Sequence, residues 1–329
     1  MSKTKVCLLN KKRGNFELQE RFAGNENVVD TTNNEVQHHY EALTTAGYEV
    51  NILKWSQNFI ADLKELDSDI VFNVSSIVEA SILEELKIPY VGSNILGIIK
   101  ATDKALAKEI WINNNLPTSP FVVAKDKNDC KVFKNLPPFD YPLFIKPVAG
   151  RGSSGIDKSS IINSYKELKK GVKERISKIG QPMLIERFIE GTEITCGIIG
   201  NGKHIRALPL LEIDYKNGDK FLTFDKKGLD NDMFYCPARL NPSKSKQLQD
   251  MAIEAYKYVG LRDYGRVDMI LSKEGPFLLE INSFAGLMCT PIEKPHSYMG
   301  FMAVAEGKSS AEFLNEIIMV TLKRNKMAG

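Results

Sequence analysis

Two short segments near the C-terminal end constrain this chain most. Arg266-Val267-Asp268 and Glu280-Ile281-Asn282 each alternate polar and apolar residues, and Ser272-Lys273-Glu274-Gly275 lies between them. A period of two is the pattern of a half-buried strand, and the polar quartet reads as a hairpin turn. Folding the hairpin about Glu274 sets Asp268 opposite Glu280 and Arg266 opposite Asn282. Residues two apart on a strand share a face, so these four polar groups converge. Val267, Met269, Leu279 and Ile281 then point the other way, into a core. Asp, Glu and Asn present hard oxygen ligands, which suit magnesium. The competing reading is a surface hairpin with compensating cross-strand charges. Two acids and an amide around one arginine would be an odd choice for such a surface.

The rest of the chain supplies the setting. Residues 6–9 read as a strand, 36–46 as a helix ended by Gly47, 49–53 and 69–74 as strands, and 77–86 as a helix. This alternation predicts an α/β fold with a parallel sheet covered by helices. A helix is expected over 103–113, with Lys104 and Lys108 one turn apart. Pro117 and Pro120 break the chain after it, and Pro137, Pro138 and Pro142 frame a second break. A polar helix is expected over 164–179, with strands at 182–186, 193–200, 204–213, 265–271 and 276–282, and helices at 245–259 and 311–323. Residues 215–232 are polar, contain Gly218 and Gly228 and hold no sustained period. Loops of that length are usually functional.

Composition excludes several classes. With 329 residues, 43% of them hydrophobic, the chain can bury a sizeable core and suggests two or three domains. The net charge of +3 comes without a basic stripe, which argues against a nucleic-acid partner. Lys166, Lys169, Lys170 and Lys173 read instead as the solvated face of a helix. No apolar stretch is long enough for a signal peptide or a membrane span, so a cytoplasmic protein is expected. The five cysteines include no CxxC pair, which disfavours a disulfide framework or a zinc site, and Cys7 and Cys196 lie in apolar runs suited to a core. His38 and His39 are adjacent and would point apart on a helix, while His204 and His296 have no spaced partner. Surface or capping roles are expected for all four.

Two further signals accompany the hairpin. Lys146-Pro147-Val148-Ala149-Gly150-Arg151-Gly152-Ser153-Ser154-Gly155 places a strand-end lysine before a Gly/Ser loop. Such a loop can wrap phosphates with backbone N–H groups and hydroxyls. It is not a Walker A loop, and a plain linker is the alternative. In Leu184-Ile185-Glu186-Arg187-Phe188-Ile189-Glu190-Gly191-Thr192-Glu193, apolar strand residues lead to two spaced carboxylates. An adenine needs an acceptor for its amino group beside an apolar wall, and a ribose needs a carboxylate for its hydroxyls. Taken alone, these glutamates would more often be solvated.

In this order the motifs resemble the ATP-grasp superfamily and, within it, the D-alanine–D-alanine ligase family. The likeness runs from Asp69 onward. It takes in Ile88-Pro89-Tyr90-Val91-Gly92-Ser93, Thr102-Asp103-Lys104, Phe144-Ile145-Lys146-Pro147, Gly152-Ser153-Ser154-Gly155, Glu186 to Glu193, Phe224-Asp225-Lys226, Phe234-Tyr235-Cys236-Pro237-Ala238 and the hairpin. The resemblance implies an ATP- and Mg2+-dependent ligase that joins a small-molecule carboxylate to an amine through an acyl phosphate. It implies that Lys104 and Lys146 contact ATP phosphates, that Ser153 and Ser154 cover them, and that Lys226 closes over the γ-phosphate with the long loop. It further implies that Glu186 and the backbone near Phe188 and Ile189 hold adenine, and Glu193 the ribose. Asp268, Glu280 and Asn282 would hold two magnesium ions, and Arg266 with the amide of Gly286 would stabilise an oxyanion.

The expected division is a Rossmann-like domain over 1–102, a lid over 103–187 and a catalytic domain over 188–329, in a homodimer. The substrate half departs from the family pattern. Leu9-Asn10-Lys11-Lys12-Arg13-Gly14 replaces a Gly-Gly-x-Ser-x-Glu stretch, and Phe72-Asn73-Val74-Ser75-Ser76 replaces a His-Gly motif. Glu79 is a candidate substitute for part of them, and Pro291 aligns with a serine that holds the second substrate's carboxylate. The ligase with altered substrate sites stands against two rivals, an authentic D-alanine–D-alanine ligase and a non-catalytic ATP-binding protein. A nicotinamide oxidoreductase is disfavoured because the first strand lacks GxGxxG.

Overall fold

The computed structural model of the chain describes residues 3–10, 31–72, 77–129, 140–150, 155–215, 233–292 and 295–327. The first part builds β1 (Lys5–Asn10), α1 (Thr31–Thr45), β2 (Glu49–Lys54), α2 (Phe59–Lys64), β3 (Ile70–Phe72), α3 (Ile77–Glu85), β4 (Tyr90–Val91) and α4 (Ile95–Thr102). The four strands form a parallel sheet in the order β2-β1-β3-β4. A parallel strand covered on both faces reads as a continuous apolar run, and β1 obeys this. Val6 and Leu8 join one core with Leu43, while Cys7 and Leu9 join another with Phe59 and Leu83.

The middle of the chain gives α5 (Lys104–Asn113), β5 (Phe121–Ala124), β6 (Leu143–Pro147), β7 (Ile161–Ile162), α6 (Tyr165–Ile179) and β8 (Met183–Arg187). Its strands form an antiparallel sheet in the order β5-β8-β6-β7. α6 is amphipathic as the lysine spacing predicts: Lys166, Lys169, Lys170 and Lys173 are exposed, while Leu168, Val172 and Ile179 are buried. The Ser164 side chain accepts from the Glu167 N–H to start it, and Gly180, at φ +76°, ends it. Asp103 caps α5 in the same way, accepting from Leu106 N–H. α5 buries Ala107 and Trp111 in a core shared with the next sheet.

That next sheet is six-stranded and antiparallel. It contains β9 (Gly191–Ile199), β10 (Arg206–Ala207), β11 (Leu211–Asp214), β12 (Met233–Tyr235), β13 (Tyr264–Ser272) and β14 (Gly275–Asn282). Its order is β12-β11-β9-β13-β14, with β10 also on β9. α7 (Pro242–Val259) covers one face, and α8 (Tyr298–Ala305) and α9 (Ser310–Met327) complete the chain. α7 starts earlier than its apolar period suggests, because Asn241 caps it and Pro242 occupies its first position. The single strand expected over 204–213 divides into β10 and β11. Pro209 has no N–H to give to a ladder, so bonding to β9 stops after Leu208, whose N–H donates to the Gly197 carbonyl at 2.8 Å, and pairing resumes at Leu211.

The β13–β14 hairpin pairs Asp268 with Glu280 and Arg266 with Asn282 as expected, but by another route. Its turn lies between Ser272 and Gly275, and Met269 pairs with Leu278. A bulge at Leu279 then shifts the register by one residue. Leu278, fully buried, is therefore the core residue in place of Leu279, which is only half-buried.

A buried carboxylate ties the three ends of the fold together. Asp263, at φ +66° and with no exposed surface, accepts from both Nε and Nη2 of Arg324 on α9, each at 2.8 Å. It also accepts from Asn201 Nδ2 at 2.8 Å and from Gly92 N–H at 2.9 Å, just beyond β4. Among the described residues no helix is long and apolar enough to cross a membrane.

Surface or capping roles do not hold for His38 and His39. Both sit on the buried side of α1, where the apolar face of an N-terminal helix meets the C-terminal one. His38 Nε2 lies 2.9 Å from Ser310 Oγ, and His39 Nδ1 lies 2.5 Å from the Glu35 carbonyl, to which it must donate. The His39 ring also meets Phe72 edge-on at 5.4 Å. Burial pushes both imidazoles down to about 4, and at His38 the neighbouring His39 adds to the effect. An unfolded chain would bind these protons at an ordinary histidine pKa of about 6.5, so stability falls as pH drops from there towards 4. For His39 the loss should reach about 2–3 kcal/mol by pH 4.5. Urea unfolding of the wild type and His39→Phe at pH 7 and pH 4.5 checks this. The wild type should lose more stability than the variant, and equal losses would refute the assignment.

Candidate active site

The functional face of the six-stranded sheet is built from three adjacent strands. β9 contributes Glu193 and Thr195, β13 contributes Arg266 and Asp268, and β14 contributes Glu280 and Asn282, in register. Asp268 is the hub. Its Oδ1 accepts from Arg266 Nε at 2.8 Å and Thr195 Oγ1 at 2.5 Å, and its Oδ2 from Arg266 Nη2 at 2.7 Å and Asn282 Nδ2 at 2.9 Å. Two bonds per oxygen use a carboxylate's full acceptor capacity. Arg266 is thereby held in a fork, with Tyr298 of α8 facing it 4.9 Å from the ring centre. Burial works against the guanidinium's charge, but Asp268 outweighs it and keeps Arg266 firmly protonated.

Glu280 lies beside this hub, 3.4 Å from Asn282 Nδ2 and 3.6 Å from Lys104 Nζ. Burial raises its pKa, but Lys104, Lys146 and Arg266 together hold it below the usual carboxylate range. Asp268, Glu280 and Asn282 form a hard-oxygen donor set that fits a small divalent cation, provided Asn282 turns its amide oxygen toward the carboxylates. Among the described residues no cluster of three or more His, Cys, Asp or Glu residues offers a competing metal site. A small cleft opens here, lined by Thr102, Lys104, Gly150, Glu280, Asn282 and Ser283.

The lysines meet at a second carboxylate. Glu186 on β8 is buried, with Lys146 Nζ 2.6 Å from Oε1 and Lys108 Nζ 2.8 Å from Oε2. Ser119 Oγ also donates to Oε2, at 2.5 Å. Burial alone would raise the Glu186 carboxyl, but the two ammonium groups bring it down to about 2. Lys104 donates to the Gly150 carbonyl at 2.8 Å, and burial lowers its pKa against the pull of Glu280.

The structure thus brings together Lys104, Lys146, Glu186, Arg266, Asp268, Glu280 and Asn282. Phe188 stacks on Phe144 with ring centres 6.0 Å apart, its N–H donates to Pro142, and Ile189 is buried. Gly286 lies against the cap of α8, where an added Cβ would come within 3.1 Å of Ser297 Cβ. Ser153, Ser154 and Lys226 fall outside the described residues. Lys108, Thr195 and Ser119 were not among the expected site residues. Their only signal in the sequence was that Lys108 follows Lys104 by one turn.

Glu193 is half-buried and bonded to Tyr215, whose hydroxyl donates to Oε2 at 2.5 Å. Burial pushes its carboxyl up to about 7; the Tyr215 bond opposes that rise, and the charges of Asp268 and Glu280 add to it. Tyr215→Phe removes the one opposing donor and should carry the carboxyl above 7. A carbon-13 NMR titration of glutamate side chains reads this directly. The assignment fails if no glutamate titrates above pH 6, or if the variant leaves that titration in place.

Three comparisons bear on identity. The sequence matches the family model for the D-ala D-ala ligase C-terminus over residues 110–319. A D-alanine–D-alanine ligase from Ralstonia nicotianae is 32% identical over 243 residues, covering 72% of this chain and 68% of the relative. Another from Desulfotalea psychrophila is 32% identical over 250 residues, covering 74% and 73%. Among solved structures, D-alanine–D-alanine ligase from Bacillus anthracis complexed with ATP superposes with a TM-score of 0.78 over the full length of both chains, at 21% identity. VanG D-Ala:D-Ser ligase from Enterococcus faecalis does so with 0.74, covering 97% of this chain and all of its own, at 18% identity. The structural likeness carries the ATP-grasp fold. The family match and the sequence relatives carry membership: the chain belongs to the D-alanine–D-alanine ligase family, ATP-dependent ligases that form a carbon–nitrogen bond.

Proposed function

We propose that this chain joins a small-molecule carboxylate to an amine through an acyl phosphate, using ATP and two magnesium ions, on a substrate pair other than two D-alanines. The observation that carries the ligase chemistry is the hub of Arg266, Asp268, Glu280 and Asn282, of which Glu280 and Asn282 share one cleft with Lys104. A carboxylate is a poor electrophile, so its oxygen first attacks the γ-phosphorus and ADP leaves. The amine nitrogen then attacks the acyl carbon, phosphate leaves, and the amine gives up its proton. Both steps are governed by positioning and charge neutralisation. Bound magnesium supplies Lewis-acid charge at the transferring phosphoryl group.

The chain's own residues do the rest in this reading. Asp268, Glu280 and Asn282 hold the metal, and Lys104 and Lys146 neutralise phosphate charge. Ser153 and Ser154 cover the phosphates, and Lys226 engages when the 215–232 loop closes. Glu186, with the backbone near Phe188 and Ile189, receives adenine, and Glu193 receives the ribose. Arg266 is fixed by two of its nitrogens, Nε and Nη2, on Asp268. The third, Nη1, is the donor assigned to the oxyanion, with the Gly286 amide. The nucleotide would lie between the parts spanning 103–187 and 188–329, with 1–102 adjoining, in a cytoplasmic homodimer.

The altered substrate pair is supported by two features. Lys11-Lys12-Arg13 puts three cations in a segment where the family pattern receives an ammonium group. Pro291 has neither a side-chain donor nor an N–H for a second substrate's carboxylate, and both Thr290 and Pro291 are exposed. A substrate carboxylate enclosed there on closure would lack one donor, a loss of about 1–3 kcal/mol once it is buried, or roughly one to two decades in rate. Against this, the relatives above bear the name D-alanine–D-alanine ligase, and an authentic enzyme of that kind is the second reading.

Two measurements test these statements. Glu280→Gln removes a ligand charge and should lower ADP formation at least about a hundredfold at unchanged melting temperature. Wild-type turnover in that variant, or turnover in excess EDTA, would refute the metal hub. Phosphate release with D-alanine as sole substrate should be weak, while a panel of carboxylates and amines, read by mass spectrometry of products, should reveal a better pair. Robust turnover at millimolar D-alanine, with the dipeptide as product, establishes the second reading instead.

A further inference from the structure

Lys108 is fully buried and its ammonium group is saturated. Its three hydrogens meet Thr118 Oγ1 at 2.6 Å, Ser119 Oγ at 2.9 Å and Glu186 Oε2 at 2.8 Å. Thr118 passes the connection on, donating to the Leu278 carbonyl at 2.7 Å, next to the bulge that sets Glu280 in place. No role in the proposed chemistry uses Lys108, yet a buried lysine is costly unless it does something for a neighbour. The neighbour is Glu186, whose second cation is Lys146 at 2.6 Å. Lys146 therefore has two calls on its charge, Glu186 and, in the proposed function, a nucleotide phosphate.

We propose that Lys108 is a positioning residue: as the standing counter-ion of Glu186, it lets Lys146 leave that carboxylate for a nucleotide phosphate. The proposal rests on the assignment of Lys146 to phosphate. Without Lys108, Lys146 would be the sole cation on a buried carboxylate, and withdrawing it would leave that charge uncompensated. Burial brings the Lys108 ammonium down to about 8 even though Glu186 pulls the other way, with Lys146 adding to the fall, so Glu186 is the group that keeps this buried lysine charged.

Equilibrium binding of ADP and of adenosine, by calorimetry with magnesium present, tests this on the full chain. Adenosine has no phosphate, so the ratio of the two affinities isolates the phosphate contact. Lys108→Met should weaken ADP about tenfold or more and leave adenosine within about twofold. Lys108→Arg, which keeps the charge, should stay near the wild-type ratio. Lys108→Met combined with Glu186→Gln should recover the ratio, because glutamine keeps an acceptor but no longer holds Lys146 by charge. Equal weakening of both ligands in Lys108→Met, or no change in either, overturns the proposal. If Lys108→Met does not fold, Glu186→Gln alone carries the test: it should raise the preference for ADP, and an unchanged ratio overturns the proposal. Lys146→Met separates the underlying assumption. Loss of the ratio there supports the phosphate role of Lys146, and an unchanged ratio refutes that role and the proposal with it.

Discussion

Asp263 is the point on which the fold turns. It is fully buried, and its four acceptor positions are shared among α9, the Asn201 turn and the peptide after β4. Arg324 also donates to the Tyr90 carbonyl at 2.8 Å, so one guanidinium ties the parallel sheet to the segment that leads into β13. Arg262 adds a second tie beside it, donating to the Gly92 carbonyl at 3.0 Å and facing the Tyr90 ring at 5.0 Å. A buried ion pair is a poor source of net stability, and removing one partner is strongly destabilising. What such a pair supplies here is relative placement. β13 leaves this anchor and carries Arg266 and Asp268 within one turn of chain, so the hub is positioned against the N-terminal sheet as well as within its own.

The same economy of position governs the hairpin. Strand pairing alone, with a two-residue turn, would put Leu279 opposite Asp268 and turn the polar set out of register. One bulged residue corrects this and leaves Leu278 in the core and Glu280 on the functional face. The bulge falls where Thr118 and Pro117 meet Leu278, through the Thr118 hydroxyl and the Pro117 carbonyl. The segment between α5 and β5 is thus fastened to the residue beside the bulge that sets Glu280, and the two carboxylate clusters share a support.

Much of this was legible in the sequence because its causes are local. The starts of α5 at Asp103 and α6 at Ser164, the end at Gly47 and the apolar run of β1 are read from neighbours in the chain, whereas the Asn241 cap of α7 lies ahead of the apolar period and went unread. The pairing of Asp268 with Glu280 was legible from alternation, although the inferred turn centre stood in for an undetected bulge. What the sequence hid depends on distant partners. The short helices α2, α4 and α8 have too few residues to show a period, and β12 is three residues long. His38 and His39 are buried by α9, from the far end of the chain, and no local pattern announces that. Lys108 looked like one of many helical lysines, since its partner Glu186 arrives on a different sheet.

Charge counting links the two clusters to the chemistry. Lys104, Lys108, Lys146 and Arg266 provide four cations, ion-paired to three carboxylates, Glu186, Asp268 and Glu280, and Glu193 stands on the same face as a fourth carboxyl pushed up to about 7. The surplus is at most one positive charge, in partly buried surroundings that strengthen its attraction for an anion. That is enough to orient an anion but well short of balancing a nucleoside triphosphate. In the proposed function the remainder would come from divalent metal held by Asp268, Glu280 and Asn282 and from the charge of Lys226. Neutralisation completed only as the phosphoryl group transfers is where binding energy would accelerate the reaction.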